Sequence, residues 1–543
     1  MNDHDTHDPV GISRRDALKL SGLTLGGVAC AGGLLDLVAR AAQAADTCAD
    51  DCSCADGPSC RWDVTAMAQR YSYFDQLPPF QPFSRKTTST IQRLGADEMR
   101  ITFMGSAIPP RTLAQRMMSI FVEVGWDEST QMPLDQFVFD CGSGVCANYG
   151  AMNVGFGRMD KIFLTHLHGD HMSDLVHIYC FGPSADRKSP QFVWGPGPSG
   201  VRNPNYDPAN PTQNPEFYDD GTRTFCAHLR EACRWHSESF SFQTTSYKAY
   251  VAPTQADWGL PHEPKPVGTD SADDAYAMIP IELDWTLPAE QRIAYQNDAT
   301  GVKISYFPVI HDRQGSIGYK LEWNGLSMIF TGDTKPETNC LEAARNGGKG
   351  VDVFIHEMIV PAEIWAMKSL RLTDPDDVPE SAVQQMTMVQ NSSHSPQGAF
   401  GYMLSQIDPR PRLTVATHFP TADDTVACAM RSLQQHCRVF RGNYISHDPH
   451  EARVTWSFDR MVITVSKKMI FEQRAVVEEF GFTPTYQAPP GTAGNPDGFD
   501  TPKYHYEGQT GGSAGDPYAQ IDTATAICPC GGEGECNFRT DGY

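Results

Sequence analysis

The chain has 543 residues, 40% of them hydrophobic, with a formal net charge of −23 and a pI near 5.1. That length exceeds the needs of one small core, so one large decorated domain or two domains are expected. The charge argues against electrostatic capture of a polyanion, which draws on clustered Lys and Arg, and no basic run is longer than "SRR" or "SKK". No nucleic-acid partner is expected on these grounds.

In chain order, residues 1–44 read as a processing segment. "SRRDALKL" carries Arg14 and Arg15, a glycine-rich, moderately apolar stretch follows to Val38, and "AQA" stands at 42–44. This pattern predicts a twin-arginine export signal cleaved after about Ala44, which makes the export machinery a partner and the periplasm or exterior the destination. The apolar stretch is too short and too rich in glycine for a membrane span. A lipoprotein anchored through Cys30 is the alternative, and Gly27 fits the usual aliphatic position poorly.

Residues 45–98 form a Cys-rich N-terminal segment with Cys48, Cys52, Cys54 and Cys60, and Cys528, Cys530 and Cys536 lie near the C-terminus. Sixteen cysteines suit an oxidising compartment, and Cys226 with Cys233 and Cys428 with Cys437 are close enough in sequence for short disulfide loops. A zinc knuckle is the rival reading of the terminal clusters. No histidine stands at finger spacing, which favours disulfides.

From residue 99 onward short β-rich runs recur: "MRITFMG" (99–105), "MSIFVEVG" (118–125), "QFVFDCGSG" (136–144), "KIFLT" (161–165) and "QFVWG" (191–195). Later come "KISYFPVI" (303–310), "IGYKLEWNG" (317–325), "LSMIFTGDT" (326–334), "VDVFIHE" (351–357) and "RLTVATH" (412–418). Helical stretches such as "PQGAFGYMLSQI" lie between some of them, so the class is α/β with functional loops at strand ends. Residues 198–300 carry little periodicity and read as an insertion into a domain spanning 99–484. Residues 485–543 read as an extended Gly/Pro-rich tail.

"THLHGDH" (165–171) follows the apolar run "KIFL" and concentrates ligating groups. His166 and His168 alternate, so on an extended loop both can face one metal, while Asp170 and His171 turn away and can hold a second. Gly169 is expected to supply the tight turn this needs. Four such groups in six positions at a strand end predict a metal site.

These residues resemble the H-x-H-x-D-H signature of the metallo-β-lactamase superfamily, and the rest of the chain resembles its ribonuclease Z-like branch. "ITFMGSAIPP" is similar to that branch's opening strand and loop, "FDCGSG" to its D-C-G-x-G turn, and "WGPGPSG" to its G-P-x-G segment. "VIHDRQGSIGYKLE" is similar to the stretch with its third metal histidine, "FTGDT" to its bridging aspartate, "IHE" to H-E-A-T, "SSHS" to H-S-T and "ATHF" to its last histidine. The series runs in family order over roughly 99–420.

The resemblance implies a four-layer αβ/βα metallo-β-lactamase sandwich, here with an irregular insertion and extended Cys-containing tails. It implies that His166, His168 and His311 hold one metal, that Asp170, His171 and His418 hold another, and that Asp333 bridges them. It places Asp170, His394 and Glu357 in the catalytic set, with His394 as proton donor and Glu357 as the carboxylate that orients it. A helix-capping role for His394 is the plain alternative. Donors without thiolate favour two zinc ions, with manganese or iron as alternatives. Two such ions lower the pKa of water and polarise the scissile group. His356 is expected to be structural and His177 to pack; His262 and His450 have no motif support.

The departures bear on the substrate. The branch that processes tRNA grips it with a basic arm, and no Gly-rich basic hairpin is visible; "HSP" replaces H-S-T, and "HFPTADD" follows the last histidine. The expected activity is therefore that of an exported dinuclear zinc hydrolase acting on a small phosphodiester or related small-molecule ester. An arylsulfatase or lactonase, a ribonuclease Z-like endonuclease and a non-catalytic binding protein are the alternatives. Dimers are common among relatives, so a homodimer is also an expectation.

Overall fold

The computed structural model describes residues 77–82, 92–109, 113–240, 275–436 and 453–477. The export signal, both terminal Cys clusters, Cys437, His262, His450 and the tail lie outside these residues. Two sheets organise them. The first has strand order β1-β16-β15-β2-β3-β4-β5-β6-β7 and the second β14-β13-β12-β11-β10-β9-β8.

The first sheet contains β1 (Pro79–Phe80), β2 (Met99–Gly105), β3 (Ser119–Val124), β4 (Asp135–Phe139), β5 (Lys161–Phe163), β6 (Gln191–Pro196), β7 (Met278–Leu283), β15 (Met461–Val465) and β16 (Ile470–Ala475). The second contains β8 (Ile293–Asn297), β9 (Val302–Pro308), β10 (Ile317–Trp323), β11 (Leu326–Phe330), β12 (Val353–Glu357), β13 (Leu413–Thr417) and β14 (Val454–Trp456). Each sheet is antiparallel on one side and parallel on the other, except that β1 at the outer edge of the first pairs parallel with β16. β4 to β7 run parallel in the first, and β11 to β14 in the second.

Central strands such as β2, β3, β12 and β13 are buried throughout, as expected of strands covered on both faces, whose sequences run apolar without alternation. Alternation in β3 divides two cores. Ile120 and Val122 face a cluster shared with Ile304, Leu321, Met328 and Ile355 of the second sheet, while Phe121 joins a cluster with Tyr149, Leu175, Ile178 and Leu229 of helices on the outer face. On the far side of the second sheet lie Phe400 and Leu404 from helix Gln397–Gln406 and Val426 from helix Asp423–His436. Helix, sheet, sheet, helix is the resulting layering.

The stretch expected to be irregular, 198–300, is not so throughout. It contributes helices Thr222–Ala232 and Arg234–Phe240, and β7 and β8 extend the two sheets. β7 escaped the sequence reading because "MIPIEL" contains a proline, which is tolerated here in the outermost strand, β7. The Cys226–Cys233 disulfide is also overturned, since both thiols are free and buried. Cys226 lies within helix Thr222–Ala232 and Cys233 caps it. Seven residues of helix separate them by about 10 Å along the axis, beyond disulfide reach. Cys428 is buried, and Cys437 lies outside the described residues.

Candidate metal centre

The parallel strands of both sheets deliver their C-terminal ends to one edge, and the loops that follow carry the ligating side chains. The sheets touch there: Tyr319 Oη donates to the Leu164 carbonyl at 2.7 Å, and Ile317 N–H donates to the Thr165 carbonyl at 3.0 Å. Gly332, just past β11, has φ 62°, and a Cβ there would lie 2.6 Å from the Thr165 Cβ. Only glycine lets these two loops close to this distance.

His166 and His168 follow β5, His168 with extended backbone, and Asp170 and His171 sit in the single helical turn Gly169–Met172. Gly169 opens that turn, and a Cβ there would make only an ordinary contact, 3.6 Å from Ser173 Oγ. The turn is thus made by helical backbone rather than by glycine's freedom. His311 follows β9, Asp333 follows β11, Glu357 ends β12, and His418 follows β13. His394 ends helix Glu380–Ser393 as its C-cap, with extended backbone, while Pro396 caps the next helix.

Among the described residues four overlapping groups of ligand atoms form there, each within 4.8 Å of one another: His166, His168 and His311; Asp170, His171, Asp333 and His418; His311, Asp333 and His394; and Glu357, His394 and His418. Asp333 lies between the first two. Its Oδ1 is 3.2 Å from His171 Nε2, and its Oδ2 is 3.4 Å from His418 Nε2 and 3.8 Å from His311 Nε2. His418 Nε2 also faces Asp170 Oδ2 at 3.2 Å. His168 Nδ1 and His311 Nε2 point at each other 3.1 Å apart.

Outer partners set the ring tautomers. His171 Nδ1 donates to Asp140 Oδ2 at 2.7 Å, His311 Nδ1 donates to the Ser393 carbonyl at 3.0 Å, and His166 Nδ1 lies 3.1 Å from Thr165 Oγ1. Thr165 Oγ1 in turn donates to Asp140 Oδ2 at 2.8 Å. Each arrangement leaves Nε2 turned to the cluster. His166 Nε2, His171 Nε2 and Asp333 Oδ1 are buried without a hydrogen-bond partner. Leaving such atoms unpaired costs about 1–3 kcal/mol each, so their convergence fits a cation that would satisfy them. Asp140, Thr165 and Ser393 were not read as site residues, although "FDCGSG" and "THLH" contain two of them.

Charge differs between the groups. Burial, reinforced by its histidine neighbours, pushes the His166 imidazole well below the usual range, and burial and His311 lower His168. At His171 burial works the same way, but Asp333, Asp170 and Asp140 outweigh it and raise the imidazole well above its ordinary value. His418 is raised to about 10, because Asp333, Asp170 and Glu357 overcome burial. The chain's own field thus disfavours protons on His166 and His168 and favours them on His171 and His418.

His394 Nδ1 donates to Glu357 Oε2 at 2.8 Å, and Thr334 N–H donates to Glu357 Oε1. Burial lowers the His394 imidazole, but the Glu357 charge and hydrogen bond outweigh it and the net direction is up. His356 is buried between Phe354 and Phe400 with Nδ1 donating to the Glu357 carbonyl at 2.6 Å, and His177 packs between Phe156 and Phe181. Arg313, two residues after His311, pairs with Asp220 and lies over the Tyr218 ring at 5.7 Å. Asp220 also accepts from Ser199 N and Oγ, each at 2.8 Å, which ties the loop ahead of helix Thr222–Ala232 to the His311 loop.

Comparison with known proteins finds no matching family model. The chain is 31% identical over 106 residues to ribonuclease BN of Citrobacter koseri, which is 19% of this chain and 32% of that protein. Ribonuclease BN of an Enterobacter species is 30% identical over the same length. The chain spans about a third of the length of these curated relatives. Among solved structures, the metallo-β-lactamase fold protein YhfI from Bacillus subtilis aligns at 12% identity and TM-score 0.38, over 68% of this chain and 100% of that one. The short form of human tRNase Z aligns at 18% identity and TM-score 0.37, over 67% and 98%. The helix-sheet-sheet-helix layers and the ordered His/Asp motifs meeting at the strand ends agree with the fold that the sequence resemblance implies.

Proposed function

We propose that the protein is an exported, dinuclear zinc-dependent hydrolase that cleaves a small phosphodiester or a related ester. The observation that carries the reading is the pair of adjacent ligand groups, with Asp333 of one reaching to 3.8 Å from His311 of the other and the Glu357–His394 pair beside them. His166, His168 and His311 would hold one cation and Asp170, His171 and His418 the other, with Asp333 between. When bound, two such cations supply Lewis-acid activation of water and polarise the scissile group.

The chain's own residues account for the rest. Asp140, Thr165 and Ser393 hold three imidazoles in the tautomer whose Nε2 is available to a ligand. Glu357, with 0% of its side chain exposed, fixes the His394 proton at Nδ1, and its charge favours a second proton at Nε2, where a leaving alkoxide can take it. The His394 side chain is 19% exposed, so solvent can return the proton.

A ribonuclease is the second reading, favoured by the local likeness to ribonuclease BN. Both readings break a phosphodiester; the net charge of −23 favours the small substrate over a polyanion. The test is metal content of the chain from residue 45, followed by hydrolysis of bis(p-nitrophenyl) phosphate beside an aryl sulfate, a lactone and a short RNA. Two zinc ions per chain and phosphodiester turnover abolished in Asp333→Ala are expected. Turnover of the sulfate or lactone alone would reassign the substrate, and absence of metal would sink the reading.

A further inference from the structure

His418 is the one proposed ligand whose backbone lies in the left-handed region, with φ 54°. For a residue with a β-carbon this conformation costs on the order of 1 kcal/mol and persists only where its surroundings enforce it. Its neighbours show what does so. Before it, Thr417 is held by the Ser457 hydroxyl at 2.8 Å and pairs in register with Glu357 of β12. After it the chain has left the sheet, and the backbone groups of 419–421 have no strand to pair with.

Gln115 supplies those partners. Its Nε2 donates to the Phe419 carbonyl at 3.0 Å and to Ser106 Oγ at 2.8 Å, and its Oε1 accepts from Thr421 N–H at 2.8 Å. Phe419 N–H donates to the Ser106 carbonyl at 3.2 Å. Ser106 is itself anchored, its Oγ donating to Asp459 Oδ1 at 3.0 Å, while Asp459 Oδ2 accepts from Arg116 N–H and Asn148 Nδ2 at 2.7 Å each. Gln115 is 3% exposed. One primary amide thus acts as both donor and acceptor on the turn that strains His418, from a loop lying between β2 and β3.

We infer that Gln115 is a positioning residue for the metal centre, which holds the 419–421 turn so that His418 presents Nε2 to Asp170 and Asp333. The inference rests on the two-cation reading above. Without the amide, the Phe419 carbonyl and Thr421 N–H lose a buried partner, the turn relaxes toward an ordinary φ, and the His418 ring swings from the carboxylates. The three-histidine group draws on none of these contacts.

The test is zinc affinity by competition with a chromophoric chelator, on the full chain, for wild type and Gln115→Met, which keeps length and removes the hydrogen bonds of the amide. One of two zinc ions is expected to bind about 10–100-fold more weakly, the range for loss of a partner that orients a ligand, while the other is unchanged. Gln115→Glu, which keeps the acceptor for Thr421 N–H but sets an oxygen against the Phe419 carbonyl, is expected to act in the same direction. Melting in EDTA reports the fold separately, and Leu229→Ala, on the outer helix Thr222–Ala232, is the control for general destabilisation. Fewer than two zinc ions in wild type would overturn the dinuclear reading itself. Two zinc ions in wild type with unchanged affinities in Gln115→Met would overturn this inference alone. So would equal weakening in Leu229→Ala, or failure of both Gln115 variants to fold, since Gln115 would then serve stability rather than His418.

Discussion

Asp140 holds no proposed cation, yet it accepts from Thr165 N–H, Thr165 Oγ1 and His171 Nδ1, all within 2.8 Å, from a fully buried position with φ 56°. Asp140→Asn replaces one of those acceptor oxygens with a donor. Zinc affinity is expected to fall about 10–100-fold, measured by chelator competition, with the His171 site affected first. Proton linkage separates the two sites. His171 and His418 have raised pKa values, so in metal-free protein at neutral pH they carry protons that zinc must displace; His166 and His168 are lowered and give up none. Affinity at the carboxylate-containing site should therefore rise with pH from 6 to 8 and be lost as pH falls, by about tenfold per pH unit for each proton released. His166 and His168 should add no proton release of their own to the other site. Calorimetry in buffers of different ionisation enthalpy reads the released protons directly; equal proton release at both sites would contradict the assignment.

At the scale of elements, the centre depends on short strands that deliver their ends to a common edge. β5 has only three residues, and Phe163 at its end is fully buried, stacked on Trp194 at 4.5 Å and edge-on to Phe137 and Tyr319. Truncation of such a ring costs about 3–5 kcal/mol. Phe163→Ala should lower the melting temperature and, because Thr165 and His166 lie two and three residues on, weaken zinc as well; a stable variant with intact zinc binding would show that β5 does not set the loop. The helix Thr222–Ala232 makes a different point. It separates Cys226 from Cys233 by two turns, so peptide mapping without reduction should recover both as independently alkylated thiols. A peptide crosslinked between them would refute the helical spacing.

For the whole molecule, the ligands come from both sheets: His166 to His171 from the first, and His311, Asp333 and His418 from the second. A cation shared by these residues would cross-link the two halves of the core. Zinc at 100 times its dissociation constant stabilises by about 2.7 kcal/mol per site through mass action, provided the unfolded chain does not bind it. Melting with zinc and with EDTA should therefore differ by several degrees in wild type, and the difference should vanish in Asp333→Ala. A wild-type melting temperature indifferent to EDTA would leave the ligand groups without a metal role. Among the described residues no helix is long and apolar enough to cross a membrane.

The sequence by itself determined the α/β class, ten strand runs between 99 and 418, and the residues that converge at the centre. It could do so because buried strands and metal ligands each need particular residue types at short spacing, and "THLHGDH", "FTGDT" and "ATH" carry those types locally. Only the tertiary structure decided that β7 and β8, inside the apparently irregular 198–300 stretch, extend the sheets, and that Gly169 needs no special backbone freedom. Only it showed Asp140 beneath His171, Ser393 behind His311 and Gln115 on the His418 turn. Those pairings join residues 31, 82 and 304 positions apart. A hydrogen bond of that kind depends on where two loops meet in space, and neither loop's residue types encode the meeting.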